Sequence, residues 1–290
     1  MPELPEVETV KRGLSRLIVG KSIVDVISDN PKSFPNSKQD VESFLLESSV
    51  LSVRRRAKVL IIDLSTKYSL VIHLKMTGQL VYINYDDIRF GAGHPSDSLV
   101  GKLPDKSTRV EITFSDKSKL FFNDQRKFGW MKLMPSDEIV NLPFMKKVGP
   151  EPLDQSFTSI DFISRFRRRP GTSIKAALLD QSVIAGVGNI YADESLWGAK
   201  IHPKRIVSGL SDSELSILYR EVRDVMNLSI EKGGSTNRNY VDAEGKKGSY
   251  MDFARVFRRE GLDCPRCGEQ IIKFKAAGRG THVCPVCQVL

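Results

Sequence analysis

The first apolar pattern of the chain has the spacing of a helix. Apolar residues recur every three or four positions at Leu4, Val7, Val10, Leu14 and Leu17. This spacing places them on one helical face. Pro5 suits a first helical turn and Gly20 suits a helix end. The pattern predicts an amphipathic helix over residues 5–18 that pins the beginning of the chain against a core.

Residues 22–134 show a different pattern, with short apolar runs separated by polar breaks. The strand-like runs are Val59–Ile62, Tyr68–His73, Leu80–Asn84, Arg109–Phe114, Lys119–Asn123 and Trp130–Leu133. Many short strands predict an antiparallel sandwich or barrel. Residues 86–106 are rich in glycine, aspartate and proline, and are predicted to form a long loop.

After the linker-like residues 148–153, the pattern becomes helical. Helices are predicted at 158–168, 173–180, 189–198 and 211–232. Ser211 followed by Glu214 is a capping box. Residues 233–261 are polar and rich in glycine, and all four cysteines follow them.

Composition narrows the class of protein. The chain has 290 residues, of which 40% are hydrophobic, so it is long enough for two folded domains. Its 44 Lys and Arg exceed its 35 Asp and Glu, and the net charge of +9 suits a polyanionic partner. No membrane-length apolar run or basic-then-apolar signal pattern is seen. A cytoplasmic location without a membrane partner is therefore expected.

The cysteines give the most specific signal. Cys264 and Cys267 form one CxxC pair, and Cys284 and Cys287 form a second pair sixteen residues later. Two such pairs predict a tetrahedral Cys₄ site for one structural Zn²⁺. Two disulfides or four free thiols are the alternatives, and a reducing cytosol disfavours the disulfides.

The N-terminus offers a candidate nucleophile. Removal of Met1 would leave Pro2 with a secondary α-amine, and an α-amine with a pKa of roughly 7.7–8.0 is partly neutral at physiological pH. A neutral amine can form a Schiff base. Glu3 and Glu6 would supply carboxylates beside it. Met-Pro is also a common way for a protein to begin, so this signal needs support from the rest of the chain.

Three further residues suit contact with phosphate groups. Arg279 lies between two glycines, which favours a tight turn that exposes its guanidinium. Asn189 follows the glycine-rich Ala185–Gly188 and opens a predicted helix, where backbone N–H groups can bind an anion. Lys58 precedes a buried strand. Each also has an ordinary structural interpretation: an exposed arginine, a helix corner and a solvated strand end.

Two predicted turns carry bulky apolar residues beside basic ones. Met76 precedes Thr77-Gly78, and Phe128 follows Arg126 and Lys127. Core packing is the usual fate of such apolar residues. Exposed beside an arginine, however, they suit a protein that fills the space left by an extruded base.

Taken together, these motifs resemble the bacterial formamidopyrimidine-DNA glycosylase family. The resemblance rests on Met-Pro-Glu-Leu-Pro-Glu-Val-Glu-Thr-Val, Asp-x-Arg-x-Phe-Gly, Gly-Pro-Glu-Pro-Leu, Gly-Val-Gly-Asn-Ile-Tyr-Ala-Asp-Glu and the Cys₄ finger with Gly-Arg-Gly-Thr-His. These motifs run in order from residue 2 to about residue 288. Leu4 favours this branch over the related endonuclease VIII type, which resembles it but usually carries glycine there.

The resemblance implies an α+β fold of four parts. These are an N-terminal catalytic β-sandwich with the catalytic helix (1–135), a linker (136–153), a helix–two-turn–helix domain with a lesion-recognition loop (154–261), and a Cys₄ zinc-finger β-hairpin (262–290). It implies a bifunctional DNA glycosylase and abasic-site lyase of base excision repair. The substrates would be 8-oxoguanine and formamidopyrimidines in double-stranded DNA, and the enzyme is expected to be monomeric.

The resemblance also implies the roles of individual residues. Pro2 would form the Schiff base, Glu3 would protonate the opening sugar ring, and Glu6 would support the same site. Lys58 would assist β-elimination, and Arg279 δ-elimination and phosphate binding. Residues expected to contact DNA are Met76, Arg126, Phe128, Asn189, Lys175, Arg169 and Tyr240, with Lys175 near the flipped base and Tyr240 in the recognition loop.

Departures and alternatives remain at this point. Ser107, Gln125 and Lys127 replace residues that are usual in the family, which puts individual DNA contacts in doubt. A glycosylase for oxidised pyrimidines is one alternative, and a non-catalytic zinc-ribbon protein that binds distorted DNA is another. A metalloenzyme is least favoured, because no His and carboxylate cluster offers an open site.

Overall fold

The N-terminal helix α1 spans Leu4–Leu17, as the apolar spacing predicts. We describe it from a computed structural model that covers residues 1–235 and 250–290. Four residues on the apolar face of α1, Leu4, Val7, Val10 and Leu14, are at 0% exposure, and Leu17 is partly buried. Gly13 is required on this face, because a Cβ there would lie 2.0 Å from Cζ of Phe90. The helix is therefore fixed against the strand that carries Phe90.

The chain divides into two units. The first comprises Met1–Lys146 with Ile230–Tyr250, and the second comprises Lys147–Ser229 with Met251–Leu290. The predicted domain bounds are a finer division and stay a prediction.

The described part of the first unit, residues 1–146 and 230–235, contains nine strands in two antiparallel sheets. They are β1 (Ile23–Ser28), β2 (Val50–Arg56), β3 (Val59–Leu64), β4 (Tyr68–His73), β5 (Gly78–Ile83), β6 (Arg89–Gly93), β7 (Thr108–Phe114), β8 (Lys119–Asp124) and β9 (Trp130–Pro135). One sheet has the order β1-β7-β8-β5-β6 and the other β2-β3-β4-β9. Helix α2 (Lys38–Asp40), which continues as a π-turn over Val41–Leu45, was not predicted.

A single apolar core joins the two sheets and α1. Leu60 and Ile62 of β3 contribute to it, as do Leu70 and Ile72 of β4. Their neighbours Ile61 and Val71 point to the other face of this sheet, where a second cluster with Ile139 covers them. Burial on both faces explains why Val59–Ile62 of β3 is a continuous apolar run and not an alternating one. The predicted sandwich is confirmed.

The predicted loop over residues 86–106 is partly wrong. Strand β6 occupies Arg89–Gly93, and a 3₁₀ turn follows at Asp97–Leu99. Gly93 has φ +124°, and a Cβ on it would lie 2.6 Å from the carbonyl oxygen of Gly78. Glycine is present here because β5 and β6 approach closely, and its presence hides the strand from a propensity-based prediction.

The second unit is mainly helical and ends in a hairpin. Its helices are α4 (Ser159–Arg167), α5 (Ile174–Leu179), α6 (Asn189–Gly198) and α7 (Asp212–Glu231), and its strands are β10 (Ile272–Ala276) and β11 (Arg279–Val283). A 3₁₀ turn at Ser136–Asn141 and the short helix α3 (Pro143–Lys147) precede them. Ser173 caps α5, and Ser211 and Glu214 form the predicted capping box.

The described helices include none suited to a bilayer crossing. Within residues 1–235 and 250–290, no helix combines the necessary length and apolar composition.

Candidate active site and metal centre

The first turn of α1 holds the N-terminus in place. Pro2 is buried, and Glu3 and Glu6 form a capping box directly behind it. The Glu3 backbone N–H donates to Glu6 Oε2 over 2.7 Å. Both side chains are 3% exposed. Two carboxylates at a helix N-terminus interact favourably with the helix dipole, so this turn fixes Pro2 beside concentrated negative charge.

Glu6 also holds a second segment of its own unit. Its other oxygen, Oε1, accepts the backbone N–H of Ser235 over 2.8 Å. Gly234 has φ +91°, and a Cβ there would lie 3.3 Å from Glu6 Cγ. Glu6 thus fixes the start of the predicted recognition loop. Tyr240 and the rest of that loop lie outside the described residues.

Lys58 stands at a rigid strand start. It is 9% exposed and follows Ala57, whose φ is +52°. The Arg55 guanidinium donates to the carbonyl of Ala57 and to Oε2 of Glu8, each over 2.9 Å. Since Glu8 belongs to α1, Arg55 joins this helix to the turn that presents Lys58.

The electrostatics of this connection favour the ionised pair. Burial raises the pKa of Glu8, but the hydrogen bond and charge of Arg55 outweigh burial, and the pKa lies below its usual value. Arg55 and Glu8 are 10% and 12% exposed in their side chains. A salt bridge shielded in this way is screened less by salt than a surface pair.

His73 lies near Lys58 and is held neutral. Burial, together with the charges of Lys75 and Lys58, lowers the pKa of His73 to about 3. The Lys75 backbone N–H donates to Nδ1 of His73 over 3.0 Å, so the neutral ring carries its proton on Nε2. The site therefore carries a cationic lysine beside an uncharged imidazole.

Two neighbouring turns carry Met76, Arg126 and Phe128. Phe128 is 53% exposed, and the Arg126 guanidinium lies 4.7 Å from its ring centroid. Buried Asp124 ties the turns together, because it accepts from the Thr77 hydroxyl and from the Gly129 N–H over 2.6 Å. The exposure of Phe128 fits the predicted wedge and not core packing.

The glycine-rich turn before α6 is built around one glutamine. Gln181 donates to the carbonyl of Val187 over 2.8 Å and accepts the N–H of Gly186 over 2.9 Å. Asn189 opens the helix and donates to the carbonyl of Gly280 over 2.9 Å. Its Oδ1 is buried and has no hydrogen-bond partner within residues 1–235 and 250–290.

Arg279 follows a tight hairpin turn. Ala276 pairs with Arg279, and the two residues between them, Ala277 and Gly278, have φ of +49° and +70°. Positive φ at both positions defines a type I′ turn, whose twist matches that of the flanking strands. The turn leaves Arg279 exposed at the start of β11, as its flanking glycines predict.

Lys175 is placed differently from what its predicted role suggests. It is fully buried, and its ammonium contacts Asp193 over 2.6 Å and Thr281 over 2.7 Å. Contact between Lys175 and a flipped base stays a prediction, and it would require the ammonium to leave this pair. Arg169 is exposed, with weak contacts to Asp180 and Ser182 at 3.5 and 3.4 Å, so it is available to a phosphate.

The four cysteines form one cluster. All four sulfur atoms lie within 4.8 Å of one another, with 4.0 Å between Cys264 and Cys287 and 3.4 Å between Cys267 and Cys284. A tetrahedral ion with Zn–S bonds of about 2.3 Å separates its sulfurs by about 3.8 Å. The cluster therefore fits a Zn²⁺ ion.

Comparison with known proteins agrees with this geometry. Residues 1–131 match the formamidopyrimidine-DNA glycosylase N-terminal domain, 148–241 its H2TH domain, and 261–289 the zinc finger found in FPG and IleRS. The chain is 40% identical to the formamidopyrimidine-DNA glycosylases of Pelotomaculum thermopropionicum and Pediococcus pentosaceus, with at least 99% of each chain covered. The chain belongs to the formamidopyrimidine-DNA glycosylase family.

Solved structures support the same conclusion. Two are the Lactococcus lactis Fpg bound to DNA containing an abasic site and a mutant of that protein bound to Fapy-dG DNA. Each is 34% identical to this chain with a TM-score of 0.87, over at least 99% of both chains. The predicted family, fold class and enzyme class are confirmed: the chain is a DNA glycosylase with abasic-site lyase activity that acts in base excision repair.

The zinc prediction is confirmed as well. The family's finger is present and its four cysteines are clustered for one structural Zn²⁺. Trp197 donates its indole N–H to Cys264 Sγ over 3.4 Å, a supporting contact that the sequence pattern did not reveal.

Other supporting residues also escaped the sequence analysis, namely Arg55, Asp124 and Asp193. For Asp124, the available signal was a carboxylate at the end of the apolar strand β8.

Proposed function

We propose that the enzyme excises 8-oxoguanine and formamidopyrimidines from duplex DNA through a Schiff base on Pro2, and then cleaves the strand by β- and δ-elimination. The observation that best supports this proposal is the first turn of α1, where buried Pro2 directly precedes the Glu3–Glu6 capping box. The Lactococcus lactis relatives bound to Fapy-dG and abasic-site DNA support this choice of substrate.

The first chemical step uses the amine that forms when Met1 is removed. Its lone pair attacks C1′ of the flipped nucleotide, the N-glycosidic bond breaks, and the base leaves with the bonding pair. The nitrogen then gives up its proton, which neutralises the departing base. Glu3 in its acid form gives a proton to the ring oxygen O4′ as the sugar opens. Since proline is a secondary amine, the product is an iminium ion whose permanent positive charge withdraws electrons from the sugar.

The iminium makes strand cleavage possible without a metal. Loss of a proton from C2′ pushes electrons toward C3′, and the 3′ C–O bond to phosphate breaks. A second elimination breaks the 5′ C–O bond, and water then hydrolyses the imine to restore the amine of Pro2. We assign Lys58 to the first elimination and Arg279 to the second, as cations that stabilise departing phosphate.

The proposed DNA contacts fall into two groups, one inside the duplex and one along its backbone. A base inside the duplex cannot be reached, and flipping it costs a few kcal/mol. We assign exposed Phe128 and Arg126, with Met76, to the space left in the duplex. We assign Asn189, Lys58, Arg169 and Arg279 to phosphates, in agreement with the net charge of +9.

The metal has a structural role. Cys264, Cys267, Cys284 and Cys287 would hold Zn²⁺, and four thiolates leave it no open position for water, so it supplies stability to the finger. The predicted bounds 1–135, 136–153, 154–261 and 262–290 are proposed as the domain division. We also propose that the enzyme acts as a monomer in the bacterial cytoplasm, where its DNA substrate lies.

Borohydride trapping tests this proposal. The protein, checked by mass spectrometry for the absence of Met1, is mixed with a duplex that carries 8-oxoguanine opposite cytosine. Borohydride reduces the iminium to a stable amine, so we expect a covalent complex that migrates slowly. Pro2→Gly also permits removal of Met1 but gives a flexible primary amine; it should lose excision by orders of magnitude and retain DNA binding.

Three outcomes would count against the proposal. A mature protein that gives no trapped complex would contradict the Pro2 mechanism. Faster excision of thymine glycol than of 8-oxoguanine would favour a pyrimidine-specific enzyme. Equal incision by wild type and Pro2→Gly would assign the nucleophile elsewhere.

A further inference from the structure

Both carboxylate oxygens of Asp193, in helix α6, contact polar groups of the same unit. Asp193 is fully buried; its Oδ1 contacts the Lys175 ammonium over 2.6 Å. Its Oδ2 accepts the backbone N–H of His282 over 2.9 Å and lies 3.1 Å from Nδ1 of that ring. A fully buried ion pair needs such additional hydrogen bonds to offset the desolvation of both charges.

The remaining contacts of this cluster converge on three consecutive residues of β11. Lys175 donates to the Thr281 hydroxyl over 2.7 Å and lies 3.5 Å from the carbonyl of Gly280. Asn189, four residues before Asp193 and so on the same face of α6, donates to that carbonyl over 2.9 Å. One face of α6 therefore fixes the backbone from Gly280 to His282.

The residue just before this fixed segment is Arg279. Its guanidinium is exposed and makes no hydrogen bond or ion pair with the residues the structure describes. Within residues 1–235 and 250–290, the position of the Arg279 head group therefore depends on the backbone that carries it. An arginine on a fixed backbone loses less conformational freedom when it meets a phosphate.

We propose that Asp193 is a positioning residue of the lyase reaction. Through Lys175 and β11 it sets the position of Arg279, together with the Asn189 amide that meets the same strand. The inference rests on the function proposed above for Arg279. It also gives Lys175 a structural role, which is to connect Asp193 to β11, in place of direct contact with the flipped base.

The test compares the products of strand cleavage. Single-turnover reactions on an abasic-site duplex resolve the β-product from the β,δ-product. We expect Asp193→Asn to lower the δ-elimination rate about tenfold to a hundredfold, the range for a catalytic group displaced by about an ångström. Borohydride trapping should change less than about twofold, since Pro2 is untouched.

Two further variants keep the test decisive. Asp193→Asn leaves the Lys175 charge unpaired, so the double variant Lys175→Met/Asp193→Asn removes the charge and should show the same loss of δ-elimination. Glu194→Gln is the matched control: Glu194 is adjacent and fully buried, but it accepts the N–H groups of Arg255, Val256 and Phe257 and not those of β11. It should leave the ratio of products unchanged.

A measurement independent of DNA separates this inference from the proposed function. Trypsin cleaves after exposed Arg279, and mass spectrometry of the zinc-loaded protein follows that cut. Both Asp193 variants should be cut faster than wild type and Glu194→Gln. Lys175→Met should likewise be cut faster than wild type, because Lys175 connects Asp193 to Thr281 of β11.

Each result has a definite meaning. The positioning role is overturned if both Asp193 variants keep the wild-type ratio of β-product to β,δ-product. It is also overturned if Glu194→Gln changes this ratio as much as the Asp193 variants do. An unchanged product ratio in Arg279→Ala overturns the proposed role of Arg279, while the trypsin cut still decides whether Asp193 holds the strand.

Discussion

His73 shows how one buried residue can shape the charge of a site. It ends β4 and lies close enough to Lys58 and Lys75 that their charges, added to burial, lower its pKa to about 3. A neutral imidazole avoids a third positive charge beside Lys58. At the residue scale, the site thus combines permanent cations with a histidine that does not titrate near neutral pH.

This shift predicts an acid-sensitive stability. In the unfolded chain His73 binds a proton near pH 6.5, whereas the folded chain does not bind it until about pH 3. The unfolded state therefore holds more protons in this window, and stability present above pH 6.5 falls as pH is lowered, by at most about 1.4 kcal/mol per pH unit.

The variant His73→Asn isolates this effect. Asparagine keeps an acceptor for the Lys75 N–H but has no proton to bind. Urea unfolding at pH 7, 6 and 5 should show wild type losing up to about 2 kcal/mol more than the variant between pH 6.5 and 5. If the free energies of unfolding of the two proteins changed with pH in parallel, His73 would have an ordinary pKa in the folded chain.

Residues whose partners lie far away along the chain could not be predicted from the sequence. Pro2 and Glu3 were predicted because their chemistry is local to one turn. Asp124 acts on Thr77, 47 positions away, and Asp193 on His282, 89 positions away. No periodicity links such positions, so their partners appear only when the strands and helices are assembled.

At the scale of elements, the predictions followed the periodicity. Helix α1 was predicted closely because its apolar residues recur every three or four positions. Strands β4, β7 and β8 were predicted closely because each is a short run rich in apolar residues between polar breaks. Strand β6 was missed because Gly91 and Gly93 lower its strand propensity, although close approach to β5 requires a glycine at position 93. The finger hairpin was predicted from its cysteines and not from strand propensity.

The finger hairpin contains an improvable turn. Ala277 has φ +49° and is exposed, and an L-residue other than glycine or asparagine is strained there. Asn-Gly is the favoured pair for a type I′ turn. Ala277→Asn should therefore raise the free energy of unfolding of the finger by about 0.5–1 kcal/mol.

Thermal unfolding of the zinc-loaded protein measures this change. Ala276→Asn is the control, because Ala276 is a strand residue, 8% exposed, where a polar side chain is unfavourable. A stabilised control, or an Ala277→Asn protein no more stable than wild type, would contradict the assigned turn.

At the scale of the whole molecule, each unit has an apolar cluster of its own, and we expect the two units to respond differently to zinc. The first unit buries the core shared by its two sheets and α1. The finger instead packs Cys264 and Cys284 with Val256, Ile271 and Trp197. The finger needs Zn²⁺ for its stability, because a cluster of so few apolar side chains cannot stabilise it alone.

Zinc removal should therefore unfold the finger and spare the sheets of the first unit. Trp197 reports this directly, since its indole N–H donates to Cys264 over 3.4 Å and the Arg266 guanidinium lies 3.9 Å from its ring centroid. The chain has two tryptophans, and Trp130→Phe leaves Trp197 as the emitter. A chelator should shift the emission of Trp197 toward that of an exposed tryptophan and weaken binding to lesion DNA. The circular dichroism of the β-sheets should stay unchanged.

Re-addition of Zn²⁺ should reverse the shift in emission. If emission stayed constant while zinc left the protein, the contact between Trp197 and the metal site would be wrong; if the β signal were lost as well, the first unit would depend on the finger for its fold.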